Sequence, residues 1–179
     1  MLSSSSTTKR DESLVRNLLL VSPIQLDIQE MLLEKLPEYF DVVTGCSLEE
    51  DVARLIINHF RWLDFIVNPH VFTDKLMQVL SICPLHLKKE IIGSLPEIIG
   101  DHNCQAVVDS LEKMLQEDSA VVVAVLDSFS NLNLDDQLQE QVRFCFIIGL
   151  RFCIIHCVDG MPLFFFYFLK GDYSSDIMY

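Results

Sequence analysis

The sequence predicts an all-α fold, arranged as a fragment of an irregular solenoid of the HEAT or armadillo kind. Apolar residues recur at every third or fourth position as far as Arg143, which is helical spacing. Turn and helix-start residues divide these stretches at short intervals, and no segment has convincing strand alternation. An apolar segment built around Leu-Pro-Glu occurs at 32–40 and returns 59 residues later at 91–99. A helical segment used twice in one chain is typical of stacked helical units.

Each Leu-Pro-Glu copy predicts a helix that bends or ends. Proline has no N–H and clashes with the preceding helical turn, so we expect this change at Pro37 and at Pro96. The distance between them exceeds the roughly 40–47 residues of HEAT and armadillo repeats, so the solenoid is predicted to be irregular.

The composition is that of an acidic chain with enough apolar residues for a core. Its 179 residues suffice for one domain, and 50% of them are hydrophobic. The net charge of −13 argues against a sequence-independent grip on DNA or RNA by this segment, because such binding needs clustered lysine and arginine. The six cysteines lack the dense spacing of a secreted disulfide scaffold, which favours reduced thiols in an intracellular protein.

The predicted elements begin after a loose, disordered tail at residues 1–12, which contains a polar serine and threonine run. Ser22 predicts a helix start as an N-cap, with proline next and Gln25 three residues after the cap, which is a capping box. A second capping box at 47–50 (Ser-Leu-Glu-Glu) precedes a helix from Val52. Trp62, the only tryptophan, lies beside the apolar face of that helix and is predicted to be core or a packing shoulder.

Further helices are predicted along the rest of the segment. They cover Val71 to Ile82, Pro84 through Leu95-Pro96-Glu97 to a stop at Gly100-Asp101, 104–117, 119–132 and 135–143. The β-branched run at 121–126 could form a strand, but its place between helices favours a buried helix.

Composition changes after Arg143. Residues 144–179 hold seven of the twelve phenylalanines and three of the six cysteines. We predict that this aromatic tail is not a native continuation of the helical segment 13–143, but an alternative splice end, intron read-through or gene-model artefact. The alternative is a membrane-associated helical protein anchored by residues 144–169, although the apolar runs there fall short of the roughly 20 residues that span a bilayer.

The sequence contains no motif of a known catalytic site. Phosphate-binding loops, nucleophile elbows and cofactor fingerprints are missing, so we predict that the protein is not an enzyme and uses no cofactor. Two groups resemble zinc ligands: Cys83, His86, His102 and Cys104, and Cys153, His156 and Cys157. The first has a His-x-Cys spacing too close for most structural sites, and the second lacks a fourth ligand. Buried thiols and helix-end histidines are the favoured interpretation, so no metal site is predicted.

Several distinctive short runs keep one order and spacing from about Ser13 to Arg143. They are 34–40 (Glu-Lys-Leu-Pro-Glu-Tyr-Phe), 54–56 (Arg-Leu-Ile), 62–64 (Trp-Leu-Asp), 80–82 (Leu-Ser-Ile), 94–98 (Ser-Leu-Pro-Glu-Ile) and 100–101 (Gly-Asp). Together they resemble the N-terminal part of the Fanconi anemia group D2 family. The resemblance implies a large nuclear, chromatin-associated α-solenoid that pairs with the Fanconi anemia group I protein.

The same resemblance implies a non-catalytic scaffold in DNA interstrand crosslink repair. In that family the pair clamps DNA, is locked by monoubiquitination and also acts in homologous recombination and meiotic chromosome pairing. No lysine of this chain matches the family's acceptor site. DNA contact is expected only through the full-length complex, and not from this acidic segment alone.

The resemblance also implies a ubiquitin-binding CUE-like region. Its apolar-proline element falls at Cys83-Pro84, and its paired-leucine element falls at Met114-Leu115, where methionine replaces the first leucine. Pro84, Met114 and Leu115 are therefore candidate ubiquitin-binding residues. A helix start and core packing explain the same residues equally well.

Overall fold

The computed structural model describes residues 14–40 and 51–156, with side chains described as far as Ile147. Within these residues the chain forms eight helices and no strand, which confirms the all-α prediction. The helices are α1 (14–19), α2 (Ser22–Lys35), α3 (Val52–Arg61), α4 (Pro69–Ile82), α5 (Leu85–Ile99), α6 (Cys104–Glu117), α7 (Val122–Asn131) and α8 (Asp136–His156). The 3-10 turn Leu36–Tyr39 follows α2, and the 3-10 turn Ser119–Val121 precedes α7.

The helices alternate between two layers. In one layer α2 packs on α4, α4 on α6 and α6 on α8; in the other, α3 packs on α5 and α5 on α7. Each helix therefore meets the helix two places along the chain, as expected when helical pairs stack on one another. The assignment to a solenoid stays a prediction.

One continuous core lies between the layers, and the leucines of both Leu-Pro-Glu copies are part of it. Leu36 and Leu95 are each 0% exposed. The rings of Phe60 and Phe72 join α3 to α4 with an edge-to-face contact of 5.1 Å between centroids, a geometry that aromatic pairs prefer. The repeated motif therefore places a leucine in the core each time.

The two prolines of the repeat act differently. The α2 helix ends at Lys35 and gives way to a 3-10 turn that contains Pro37, as predicted. Pro96, in contrast, lies inside α5 and does not end it: the helix continues to Ile99 and stops at Gly100, as predicted, while a bend at Pro96 stays a prediction. The helix continues because Ile98 and Ile99 are 4% and 2% exposed. Their burial outweighs the backbone hydrogen bond that proline cannot donate.

Two helices, α2 and α4, begin differently from the prediction. Ser22 is already inside α2; Val21 occupies the N-cap position, and no side chain caps this end. The α4 helix begins at Pro69, two residues before the predicted Val71, because the Asn68 side chain accepts a hydrogen bond from the amide of Val71 at 3.3 Å.

Other predicted boundaries are confirmed. The Asp51 side chain caps α3 by accepting from the amide of Arg54 at 3.1 Å. Gly100 ends α5 with a φ of 53°, a conformation that favours glycine. The β-branched run at 121–126 is helical from Val122 onward. The capping box at 47–50 and the tail at 1–12 lie outside the described residues.

The last helix crosses the boundary predicted after Arg143. α8 runs from Asp136 to His156 without a break. Cys145 and Phe146 are 1% and 8% exposed and join the core, because they continue the buried face of Val142. The idea that the tail is not native stays a prediction, and its residues from 157 onward lie outside the described part. Among residues 14–40 and 51–156, no helix combines the length and apolarity needed to cross a membrane.

Candidate interaction surfaces

A buried glutamine ties two loops together at one end of the molecule. The Gln25 side chain is 0% exposed. Its Nε2 donates to the carbonyl of Leu19 at 2.8 Å and to the carbonyl of Phe65 at 3.0 Å, while its Oε1 accepts from the amide of Val67 at 2.7 Å. One side chain therefore joins the α1–α2 junction to the α3–α4 loop. The prediction that Gln25 completes a capping box is wrong, because its side-chain amide is hydrogen bonded to these three backbone groups instead.

The two joined loops expose apolar side chains, which we call the loop patch: Leu20, Val21, Trp62, Phe65 and Val67. Their exposed fractions run from 38% to 62%. Apolar groups gathered on a surface are typical of protein contacts, whereas single exposed ones are ordinary. Within the loop patch, the hydrogen bonds of Gln25 hold the backbone of Phe65 and Val67.

Trp62 is the most exposed member of the loop patch, at 62%. The prediction that it belongs to the core or its shoulder is wrong. The α3 helix ends at Arg61, and Trp62 takes the C-cap position with φ −103° and ψ 18°. Its side chain therefore leaves the apolar face that a continued helix would have given it.

Two ion pairs hold α3 against α5 beside this surface. Arg61 donates two hydrogen bonds to Glu97, at 2.6 and 2.9 Å. Arg54 Nε lies 2.8 Å from a carboxylate oxygen of Glu90, as an ion pair without good hydrogen-bond geometry. The pKa of Glu97 is lowered by its hydrogen bond from Arg61, and the pKa of Arg61 is raised by the same bond. Both pairs link α5 to α3, which ends directly before Trp62.

A second surface feature is a cleft between α4, α5 and α6, which we call the Met114 cleft. Its volume is about 200 Å³. It is lined by Met77, Ser81, Lys88, Ser110, Lys113, Met114, Glu117, Asp118 and Val121. The turn from α4 to α5 carries two further exposed apolar residues, Ile82 at 64% and Leu85 at 42%.

The three candidate ubiquitin-binding residues lie at different depths. Met114 lines the cleft and is partly buried. Pro84 is partly buried and does not line the cleft. Its carbonyl accepts a hydrogen bond from the amide of the cleft residue Lys88, one helical turn later, at 2.8 Å. Leu115 is 2% exposed and packs in the core, so its side chain is not presented to a partner. Ubiquitin binding at these residues stays a prediction.

The described thiols are buried and protonated at neutral pH. Cys83 is 5% exposed, and burial raises its pKa to about 11. Burial also raises the pKa of Cys104, and that of Cys145 to about 11. His86 and His102 are exposed. Within the described part of the chain, no three His, Cys, Asp or Glu side chains are grouped so as to hold a metal ion. Side chains of the second candidate group, at 153–157, lie outside that part.

A protein-family model matches most of the chain. The model is described as "Fanconi anaemia protein FancD2 nuclease", and it matches residues 2–169. The chain belongs to the FancD2 family. Curated relatives agree with this. The chain is 39% identical over 132 residues to the Fanconi anemia group D2 protein of Gallus gallus. It is 37% identical over 133 residues to the Mus musculus homolog and 36% identical over 135 residues to the Rattus norvegicus homolog.

The FancD2 matches differ in extent. Each relative aligns with 74% of this chain, but the chain covers only 9% of each relative's length. The family model continues beyond Arg143 to residue 169, further than the predicted end of the resemblance. The word nuclease belongs to the description of the family, and the prediction that this chain is not an enzyme stays a prediction.

Proposed function

We propose that this FancD2-family chain is a non-catalytic, nuclear scaffold segment that serves DNA interstrand crosslink repair by protein–protein contact. Family membership supports the pathway. Clamping of DNA, monoubiquitination, homologous recombination and meiotic chromosome pairing are proposed for the longer protein, because the chain spans only 9% of its relatives.

The loop patch is the surface proposed to meet the Fanconi anemia group I protein. The observation that carries this proposal is the three hydrogen bonds of Gln25, which hold the exposed Phe65 and Val67 next to the α1–α2 junction. A surface whose backbone is already fixed loses little conformational freedom on binding. Aromatic side chains such as Trp62 and Phe65 are also enriched at the energetic centres of interfaces.

Direct DNA binding is not proposed for this segment. The net charge is −13, and most described cations already have acidic partners. The paired cations are Lys35, Arg54, Arg61, Lys75, Lys113 and Arg143. Releasing counterions from phosphates needs available lysine and arginine side chains. We propose that DNA is reached only through the full-length complex.

Coprecipitation with the purified group I protein tests the loop patch. The complete 179-residue chain serves as bait, and the double variant Phe65→Ser, Val67→Ser is compared with it. We expect the variant to weaken capture about tenfold, because truncating anchor residues costs more than 1 kcal/mol each. Met31→Ser is the matched control, since Met31 is 51% exposed on α2 but is not part of the loop patch. Equal capture of both variants would contradict the proposal.

A further inference from the structure

We propose that residues 161–169 of the same chain dock on the outer face of α8, where they cover Phe144 and Ile147. Residues 161–169 lie outside the described residues, and the contact is inferred from the face that the described part of α8 leaves open. The contact does not depend on the role proposed for the loop patch. It holds for this chain whatever the origin of its aromatic tail.

The outer face of α8 changes from polar to apolar along one stripe. Gln137, Glu140, Phe144 and Ile147 are all exposed, and their spacing of three, four and three residues places them on one side of the helix. The first two are polar, whereas Phe144 and Ile147 are apolar and are 62% and 56% exposed. A helix side that faces water is normally polar along its whole length. The second half of the stripe is therefore a surface suited to contact with another segment.

At residues 144–147 the α8 helix is apolar on every side. Cys145 and Phe146 belong to the core, whereas Phe144 and Ile147 lie on the exposed side. A helix that is hydrophobic all round is typically a buried helix. The α8 helix packs on α6 and α7, and no residue of the described ranges covers the side of Phe144 and Ile147. The cover therefore comes from outside these ranges.

The chain is long enough to return to this face after a short connection. The α8 helix ends at His156, and Asp159-Gly160, a dipeptide typical of turns, follows shortly after it. Ile147 precedes His156 by nine residues, which is about 14 Å along the helix axis. The nine residues 161–169 span about 14 Å as a helix and about 30 Å as an extended segment. In either form, a segment that turns back at 159–160 reaches Ile147.

The returning segment is itself apolar. Its sequence is Met-Pro-Leu-Phe-Phe-Phe-Tyr-Phe-Leu, and the charged Lys170 follows directly. The match to the FancD2 family model ends at the same position, residue 169, and so includes the whole segment. A contiguous apolar surface of this kind marks a contact site. Because a short linker gives a tethered segment a millimolar effective concentration, docking within one chain is favoured over binding of a second copy.

Methyl NMR with a soluble paramagnetic agent measures the contact on the full chain. The δ1-methyl groups of isoleucine are labelled, and Ile82 at the end of α4, 64% exposed, is the matched reference for Ile147. Without a cover the agent should broaden the two signals about equally. We expect the Ile147 signal to be broadened several-fold less than the Ile82 signal, because the docked segment keeps the agent away from the Ile147 methyl group.

Two variants assign the protection to the proposed segment. The docking variant replaces three consecutive rings, so that the contact is lost whichever way the segment is turned: Phe164→Ser, Phe165→Ser and Phe166→Ser. It should remove the protection of Ile147. Tyr173→Ser is the matched control, since it removes a ring from the same tail beyond residue 169, and it should keep the protection. An unmoved signal of the buried Ile57 shows that each variant keeps the fold.

The proposal is supported if Ile147 is protected in the unmodified chain at all protein concentrations, and if only the docking variant removes that protection. Equal broadening of Ile147 and Ile82 in the unmodified chain would overturn it without any variant, as would equal effects of the two variants. Protection that fades on dilution would assign the face to a second copy of the chain. Protection that appears only after phosphatidylcholine vesicles are added would assign the face to a lipid surface.

Discussion

Arg61 holds Glu97 with two nearly equal hydrogen bonds, 2.6 Å from Nε and 2.9 Å from Nη2. One heptad earlier on both helices, Arg54 pairs with Glu90 at 2.8 Å. Since both partners advance in the same direction by about two helical turns, α3 and α5 run parallel and in a fixed register. Parallel helices two places apart are what stacked helical hairpins require, so these two contacts are consistent with the predicted solenoid, which stays a prediction.

The Arg61–Glu97 pair should be coupled but weak. A double-mutant cycle with Arg61→Ala and Glu97→Gln is expected to give a coupling of about 0.5–1 kcal/mol in the free energy of unfolding, because the two side chains are 31% and 52% exposed. The coupling should also decline with added salt. Chemical denaturation of the four chains measures it. A coupling energy that does not differ from zero would mean that the Arg61–Glu97 pair does not stabilise the α3–α5 contact.

The same coupling should disappear in acid. The pKa of Glu97 is lowered from its ordinary 4.5 by the hydrogen bond from Arg61. A lowered carboxyl pKa stabilises the fold above the ordinary pKa, and this contribution is lost as pH falls through the lower, folded-state pKa. The cycle should therefore give its full value near neutral pH and approach zero well below the ordinary pKa of Glu97. A coupling that grew stronger in acid would contradict the assignment.

Gln25 and Gln29 should respond in opposite ways to the same substitution. Both are 0% exposed on one face of α2. Gln25→Leu is expected to cost about 2–4 kcal/mol, because it removes three hydrogen bonds and leaves buried backbone groups unpaired. Gln29 has neither amide atom hydrogen bonded within the described structure, so Gln29→Leu should be neutral or stabilising. Thermal unfolding measures the change in stability of both variants. Equal destabilisation would contradict the account of Gln25.

Gln25 and Gln29 show which features of the structure the sequence predicts and which it does not. Helix periodicity located α6 at its observed limits and made the run at 121–126 helical. It did not assign Gln25, because a glutamine three residues after Ser22 has the local pattern of a capping box. The signal that could have found it is spacing: Gln25 and Gln29 precede Leu33 and Leu36 on one buried face. Two of the three partners of Gln25 lie 40 and 42 residues away, and local sequence does not predict contacts at that distance.

Trp62 illustrates the same limit. Its apolar neighbours predict burial only if α3 continues past Arg61, but the helix ends there. One lining residue of the Met114 cleft, Met114, was singled out from the resemblance. Lys88 and Met77 were not, because only the packing of α4, α5 and α6 brings them together. Surfaces assembled from three helices depend on contacts that helical spacing does not specify.

The two prolines of the repeated motif should differ in their effect on stability. Pro96→Ala restores an N–H inside α5 that can donate to the carbonyl of Ile92, so we expect a gain of about 1 kcal/mol or more in the free energy of unfolding. Pro37 lies at the start of a 3-10 turn, where its missing N–H costs little, and Pro37→Ala should be near neutral or slightly destabilising. Urea denaturation measures both. A larger gain from Pro37→Ala would contradict the assigned roles.

The buried thiols should make the fold sensitive to alkali. Burial raises the pKa of Cys83 and of Cys145 from 9.0 to about 11. A raised thiol pKa stabilises the fold below the ordinary pKa, and that contribution is lost as pH rises through the folded-state pKa. We expect the free energy of unfolding to fall between those values, and Cys83→Ala should reduce this fall by about 1–2 kcal/mol. An identical alkaline decline in the variant would exclude the Cys83 thiol as a cause.

The proposed contact between the loop patch and the group I protein has a direct reporter in Trp62, the only tryptophan of the chain. Fluorotryptophan incorporated there gives a single fluorine NMR signal, which is titrated with the unlabelled group I protein. We expect that signal to shift or broaden on binding, with about tenfold weaker binding for Phe65→Ser, Val67→Ser and little change for Met31→Ser. An unchanged signal from the folded chain at saturating partner, or equal effects of both variants, would contradict the account.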